Sequence, residues 1–336
     1  MPKSSIYNIK ILVCGAGSIG RRHIENLKRI GVTVLAWRSR RELAERLSKE
    51  YEIEVRTSID EAIRDVDGVV VATTTDTHIE IASKVIDHNK ALFIEKPLSD
   101  SYKSIIPFLE KISEKHIIEV GFQLRAHPNL IRLYELIKRN DFGPLYTYRA
   151  TVGHRLDKWR PGIDYRKSYS ANRKHGGGAL LDLTHEIDLI QWLTGPIKEV
   201  YGNLASVSDL EMDAEDLVNL VMVNENSAVG QIQLDMLSPV YRRELELVFQ
   251  KAILYWDAVA GVLEKRTPDG VLIEHQVSDK FDRNDMFVYQ MQHFVNRISN
   301  NLEPLCSIQA GIEVQKIVEA ARKSSKLKKN IEVQKI

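Results

Sequence analysis

The sequence predicts an α/β fold, with a doubly wound parallel sheet in the N-terminal part and then an α/β domain on a mostly antiparallel sheet. Three observations predict it. From Ile9 to about Gln123, short Val- and Ile-rich runs alternate with stretches of helical spacing, as in a parallel sheet covered on both faces. A glycine-rich turn, Gly15-Ala16-Gly17-Ser18-Ile19-Gly20, joins the first run to the first helical stretch. After Phe122 the alternation gives way to a long polar loop, a second glycine run and a series of strand-like segments.

Ile9–Cys14, Thr33–Trp37, Gly68–Ala72, Ala91–Glu95 and Ile117–Gly121 read as buried strands. Between them Ile19–Ile30, Glu42–Glu50, Ile59–Asp65, His78–His88 and Tyr102–Ser113 place apolar residues at helical spacing. His127–Asn140 then reads as a helix, Leu145–His154 as a strand, and Arg155–His175 as a loop. Gly176–Gly178 precede a single helical run, Ala179–Leu193, which Gly195 and Pro196 close. Glu199–Val207, Leu217–Asn224, Ala228–Met236, Arg243–Phe249, Ala252–Trp256 and Val271–Gln276 have strand character, with turns at Asn224–Asn226 and Pro268–Gly270. Helices near Asp285–Ser299 and Ile308–Lys323 end the chain.

The 336 residues suit two domains, 1–123 and 124–336, with the last helices free to pack back on the first. Hydrophobic residues at 43% and charged residues at 28% give a soluble globular balance that needs neither disulfides nor a structural metal. A net charge of +1 lacks the basic footprint of a nucleic-acid partner. The lysines of Lys323–Lys329 read as a solvated helix end. No apolar run nears the length of a membrane span, and Met1–Lys10 has no signal-peptide pattern. The two cysteines, Cys14 and Cys306, lie far apart and read as reduced thiols of a cytoplasmic protein. No metal site is predicted.

In the glycine turn, Gly15 permits the sharp bend, Gly17 lets backbone approach a pyrophosphate, and Gly20 lets the helix pack on the strand. The amides of Ser18 and Ile19 then face the anion at the helix start. An acid is usual about 20 residues on, where it binds the ribose hydroxyls. Here that position falls in Trp37-Arg38-Ser39-Arg40-Arg41. Arg38, Ser39 and Arg40 suit a 2′-phosphate, so NADP(H) is expected over NAD(H), which stays open as the alternative. Thr73, Thr74, Thr75 and His78 follow a strand at its carboxyl end, where such folds bind ligands, and Thr77 reads as a helix N-cap.

Glu95-Lys96-Pro97 ends another strand at the same edge, and the Lys96–Pro97 bond is a candidate for the cis form. Glu95 and Lys96 are expected beside the cofactor, where the Lys96 ammonium can polarise a carbonyl or stabilise an alkoxide. In Gly176–Asp188, Asp182 and His185 are three apart and share a helix face, which suits a histidine acid/base oriented by a carboxylate. The three glycines would let ligands approach backbone. Arg155–His175 holds seven Lys/Arg residues against Asp157 and Asp164, with Trp159, Tyr165 and Tyr169 interleaved. Trp159, Arg160 and Tyr165 are therefore candidates for an anionic or nucleotide-activated sugar. Gln123, Arg125 and His127 are candidates for entering the cleft at the domain junction.

Gly15–Gly20, Thr73–His78, Glu95–Pro97 and Gly176–Asp188, in that order, resemble the Gfo/Idh/MocA family over nearly the whole chain. The resemblance implies an N-terminal Rossmann domain and a C-terminal α/β domain whose open sheet often forms the interface of a homodimer or homotetramer. It implies hydride transfer between a nicotinamide and a sugar-like alcohol or ketone. His185 would be the acid/base, Lys96 its partner on the substrate oxygen, and Asp182 a substrate or relay carboxylate. Many members step four residues from the aspartate to the histidine, where this chain steps three, and many carry proline where it has Thr74. Within the same fold, an NAD-dependent glycosidase and a non-enzymatic sensor are the alternatives. The presence of Lys96 and His185 favours an enzyme over a sensor.

Overall fold

The computed structural model describes residues 8–300 and 302–336. The chain forms two compact units. The first runs to Ala126 and takes in Asp282–Gly311; the second comprises His127–Phe281 and Ile312–Ile336.

The chain order opens β1 (Lys10–Cys14), α1 (Ser18–Ile30), β2 (Thr33–Trp37), α2 (Arg41–Tyr51), β3 (Glu54–Arg56), α3 (Ile59–Arg64) and β4 (Gly68–Val71). It continues α4 (His78–Asp87), β5 (Ala91–Glu95), α5 (Tyr102–Leu109) and β6 (Ile118–Gly121). The second unit brings α6 (Pro128–Lys138), β7 (Leu145–Gly153), α7 (Ala179–Asp182), α8 (His185–Thr194) and β8 (Ile197–Ala205). Then come β9 (Leu217–Asn224), β10 (Val229–Asp235), β11 (Arg242–Phe249), β12 (Ile253–Asp257), β13 (Val262–Thr267) and β14 (Gly270–Gln276). Last are α9 (Arg283–Ser299), α10 (Ile308–Leu327) and β15 (Ile331–Glu332).

In the first unit six parallel strands lie in the order β3-β2-β1-β4-β5-β6. The order reverses between β1 and β4, and ligands of doubly wound sheets bind at such a switch point. Ile11–Cys14 and Val69–Val71 are fully buried, which is why these strands read as unbroken apolar runs. Ile11, Val13, Ile24, Leu27, Val70 and Phe93 form one core with Met291, Phe294 and Val295 of α9. Glu119 of β6, wholly buried, receives His293 at 3.2 Å and Arg297 at 3.4 Å from α9. An Asp282–Asp285 capping box starts that helix.

The short β3 was not among the expected strands. It has three residues, one of them apolar, and forms by pairing with β2. The fifth helix stops at Leu109, short of the expected Ser113, with Pro107 inside it.

In the second unit the sheet runs β14-β13-β12-β11-β7-β10-β9-β8-β15. β7 and β10 pair in parallel and every other pair is antiparallel, in keeping with the mostly antiparallel sheet expected. Residues alternate across it. Tyr148, Ala150, Val152, Leu220, Ile232 and Leu247 are buried on one face. On the other face one register row runs Tyr201, Val221, Gln231, Arg149, Glu246, Tyr255, Glu264 and Ile273. β13 and β15 were also not expected. Val262-Leu263 turns at once into Glu264-Lys265-Arg266, so no apolar alternation marks β13, and backbone pairing on both sides makes it a strand. β15 has only two residues.

Candidate functional site

In the first unit the sheet's carboxyl edge carries the glycine turn. Gly15 has φ +103°, and a Cβ there would lie 2.4 Å from the Ala72 carbonyl oxygen. A Cβ on Gly20 would lie 2.2 Å from the Gly15 carbonyl oxygen, so only glycine lets α1 pack this close. Gly17 differs: it is exposed, its φ is ordinary, and nothing lies within 4 Å of where its Cβ would be. Gly17 is the N-cap of α1 and offers no side chain to the first-turn amides. The amides of exposed Ser18 and half-buried Ile19 thus begin a 13-residue helix with no cap side chain, as an anion site requires.

Arg38 follows β2 and is half-buried. Its backbone N–H donates to the Arg56 carbonyl. Among the described residues no carboxylate pairs with its guanidinium. Burial, and then the charges of Arg21 and Arg40, hold its pKa below the usual arginine value. Arg21 itself pairs with Glu50. Ser39 and Arg40 are exposed, Arg40 as the N-cap of α2.

Thr73–Thr75 lead into α4 through one tight turn, Thr75–Thr77. Thr77 occupies the N-cap position of α4, but its hydroxyl does not cap. It donates instead to Thr73 Oγ1 at 2.7 Å or the Thr74 carbonyl at 2.8 Å, because the preceding turn already bends the chain back. His78 is buried, with Nδ1 2.9 Å from the Pro97 carbonyl oxygen and Nε2 3.2 Å from that of Thr73. Burial lowers its pKa against the raising effect of the two carbonyls. The ring ties two loops of the edge together.

The Lys96–Pro97 peptide is cis. Glu95 does not face outward. Its Oε1 lies 2.7 Å from His23 Nε2, and its Oε2 accepts the Lys96 N–H at 3.2 Å. Lys96 is half-buried at this strand end. Gln123 and Arg125 are buried in the turn after β6, where Arg125 donates to the Leu305 carbonyl at 3.1 Å.

In the second unit the glycine run has a cause other than the one expected. A Cβ on Gly177 would lie 2.3 Å from the Tyr169 carbonyl oxygen, and one on Gly178 2.6 Å from Glu215 Oε1. The chain's own groups fill the space. The run Ala179–Leu193 is also not one helix. α7 ends at Asp182, Leu183 leaves helical geometry, Thr184 Oγ1 bonds back to the Leu181 carbonyl at 3.2 Å, and α8 starts at His185. Asp182 and His185, both buried, therefore flank a break instead of sharing the face of one helix. The Tyr169 hydroxyl hydrogen-bonds to Asp182, whose charge raises the phenol pKa. The Arg160 guanidinium stands 5.8 Å over the Tyr169 ring.

Trp159, Arg160 and Tyr165 come together around one recess with Leu156 and Ile163. Trp159 Nε1 donates to the His154 carbonyl at 2.8 Å, and the Tyr165 hydroxyl accepts from the Glu211 amide at 3.0 Å. The loop's surplus of cations is largely met from elsewhere. Arg155 pairs with Asp209, Arg166 with Glu211 and Arg173 with Glu215, three acids between β8 and β9. His127 caps α6, accepting from the Asn129 amide, and packs edge-on against Trp256 and Phe281. Burial pushes its pKa down to about 4, which suits a structural ring.

Two residues escaped the sequence reading of the site. Tyr169 was noted only as a loop aromatic. His23 went unread, although Gly20, His23, Ile24 and Leu27 are buried at i, i+3, i+4 and i+7 on α1, a spacing that flags a buried histidine.

Two family descriptions match the chain. One is an oxidoreductase family with an NAD-binding Rossmann fold, over residues 9–122, and the other the GFO/IDH/MocA C-terminal domain, over residues 130–255. The myo-inositol 2-dehydrogenase of Thermotoga maritima is 26% identical, over 98% of this chain and 99% of that one. The inositol 2-dehydrogenase of Rhizobium meliloti is 26% identical, over 91% and 90%. A levoglucosan dehydrogenase in complex with NADH superposes with a TM-score of 0.88 at 18% identity, over 97% of this chain and 99% of that one. GenD2 of gentamicin A biosynthesis, in complex with NAD, gives 0.83 at 23% identity, over 99% of each.

Proposed function

The chain belongs to the Gfo/Idh/MocA oxidoreductase family, and from that premise we propose that it transfers a hydride between NADP(H) and a CH–OH or C=O carbon of a sugar or cyclitol. The observation that carries this reading is the open glycine turn. The space at Gly17 and the α1 amides without a cap side chain fit a dinucleotide pyrophosphate. A nicotinamide dinucleotide held there supplies the hydride acceptor or donor. His185 takes up or returns the proton of the substrate hydroxyl, with Asp182 as a substrate or relay carboxylate. The Lys96 ammonium lies on the substrate oxygen and stabilises its developing negative charge. Names of the relatives support a polyol or sugar carbon.

The preference for NADP(H) rests on Arg38. A half-buried guanidinium beside two further cations is stabilised by an added anion, which a 2′-phosphate provides. The named structural neighbours bind NAD or NADH, so this is a difference from them. NADPH is expected to bind tighter than NADH by about 10- to 100-fold, the worth of charge-assisted hydrogen bonds. Arg38→Asp narrows or reverses the gap, measured as nicotinamide fluorescence titrations. Equal affinities in the unsubstituted protein remove the NADP(H) preference and leave NAD(H).

An anionic or nucleotide-activated substrate has narrower support than the loop's composition suggested. Arg160, beside the Tyr169–Asp182 pair, is the cation best placed for it. The open sheet face supports a second copy of the chain as partner. Arg149 and Glu246 are neighbours at the centre of its register row, so a two-fold axis running between their strands would set each against its opposite charge. A monomer in sedimentation velocity at micromolar concentration removes that reading. No helix among the described residues is long and apolar enough to cross a membrane. Cys14 and Cys306 are buried thiols, which supports a cytoplasmic location.

A further inference from the structure

We propose that His23 is a positioning residue for Lys96, acting through the buried carboxylate of Glu95; this rests on the reading of Lys96 given above. His23 lies on α1, the helix whose first amides face the pyrophosphate site. Its ring is fully buried and sits edge-on to Phe93, at 5.5 Å between centroids, and to Phe287, at 6.2 Å. A carboxylate only accepts, so the proton of the 2.7 Å contact is on His23 Nε2. Nδ1 has no hydrogen-bond partner among the described residues, which leaves the ring one polar function: to hold Glu95.

Glu95 is in turn held on two sides. Its Oε2 accepts the backbone N–H of Lys96, and a Cβ on Gly121 of β6 would lie 2.9 Å from that same oxygen. Glycine at that position is what lets the carboxylate lie flat against the sheet edge. The result is a continuous chain of contacts: α1, His23, Glu95, Lys96 amide. One helix therefore fixes both the anion-binding amides and the backbone from which the lysine extends. A core-filling hydrogen bond would need none of this alignment. A hydrophobic side chain at the position would pack as well, but would strand Glu95 Oε1 in the interior. The carboxylate would then turn away, and the Lys96 backbone would lose its acceptor.

The test compares His23→Leu, which keeps the packing, with His23→Gln, whose amide can still donate to Glu95. The probe is acetic anhydride, with the acetylation rate of Lys96 read by peptide mass spectrometry against the surface lysines Lys28 and Lys49. In His23→Leu the relative rate at Lys96 is expected to change by about tenfold, the worth of a lost buried hydrogen bond to a charge. His23→Gln should restore it. Deuterium uptake over residues 94–99 should rise in the leucine variant only. An unchanged relative rate and unchanged uptake in folded His23→Leu overturn the proposal, as does failure of His23→Gln to rescue. If His23→Leu does not fold, Glu95→Leu replaces it. That variant removes the side-chain acceptor of the Lys96 amide and should shift the Lys96 rate in the same way; an unchanged rate there also overturns the proposal. Hydride transfer by Lys96→Ala is read separately. Normal turnover there removes Lys96 from the mechanism without touching the labelling result.

Discussion

The molecule has two glycine runs ahead of helices, and they look alike in sequence but not in space. At Gly15–Gly20 two of the glycines are required by close backbone packing, while the space at Gly17 is open. At Gly176–Gly178 the space is closed by the Tyr169 carbonyl and the Glu215 carboxylate. The first run leaves room for a ligand; the second lets the chain pass close to itself. A glycine-rich segment thus signals close approach, and only the geometry shows whether the approaching group is a ligand or the protein.

This division assigns dinucleotide binding to the first run and leaves the second to set up the break at which His185 begins α8. The largest expected effects therefore come from side chains near each run. Lys96→Ala and His185→Ala should each lower turnover by about 10²- to 10⁴-fold, the usual reach of positioned proton transfer and charge stabilisation. NADPH affinity should stay within about threefold of the unsubstituted protein, since neither group is assigned to the pyrophosphate. Turnover is read in a screen of sugar acids, cyclitols and nucleotide sugars by absorbance of reduced nicotinamide. A variant that keeps full turnover loses its role.

Next in size is Gly177→Ala. Its backbone is not in the left-handed region, so the cost comes from overlap alone, 2.3 Å to the Tyr169 carbonyl oxygen and 2.5 Å to that of Ser170. Both obstacles are backbone, which yields less than a side chain. Overpacking of this kind costs about 1–3 kcal/mol, so the urea midpoint should fall with the slope unchanged. Dinucleotide affinity should not move. An unchanged midpoint would mean that the second run is looser than its geometry states, and the contrast between the runs would fail.

Much of this was legible in the sequence, for physical reasons that differ by element. The parallel strands announce themselves because both faces are buried, so every residue of Ile11–Cys14 is apolar. β13 does not, because Glu264, Lys265 and Arg266 leave its pairing to the backbone. The residues at the sheet edge were legible as a set but not in direction. Glu95 looks the same in sequence whether it faces a cofactor or turns back to His23, and His78 whether it faces a ligand or spans Thr73 and Pro97. The loop cations misled because their partners, Asp209, Glu211 and Glu215, lie some 40 or more residues on, beyond any local count of charge.

The smallest expected effect is the most discriminating. In Gly17→Ala the new methyl meets nothing within 4 Å, and the φ of −72° suits alanine. Alanine is a poorer N-cap than glycine, but it also restricts the unfolded chain, and the two effects oppose. Stability should therefore stay within about 0.5 kcal/mol. The methyl does, however, occupy space next to the α1 amides, where a pyrophosphate must come into hydrogen-bond range. NADPH affinity should fall by about tenfold, roughly 1.4 kcal/mol. Gly177→Ala should show the reverse pattern, a lower midpoint with affinity intact. If Gly17→Ala instead destabilised the fold and left binding alone, both runs would be packing devices, and the dinucleotide would have to be held elsewhere.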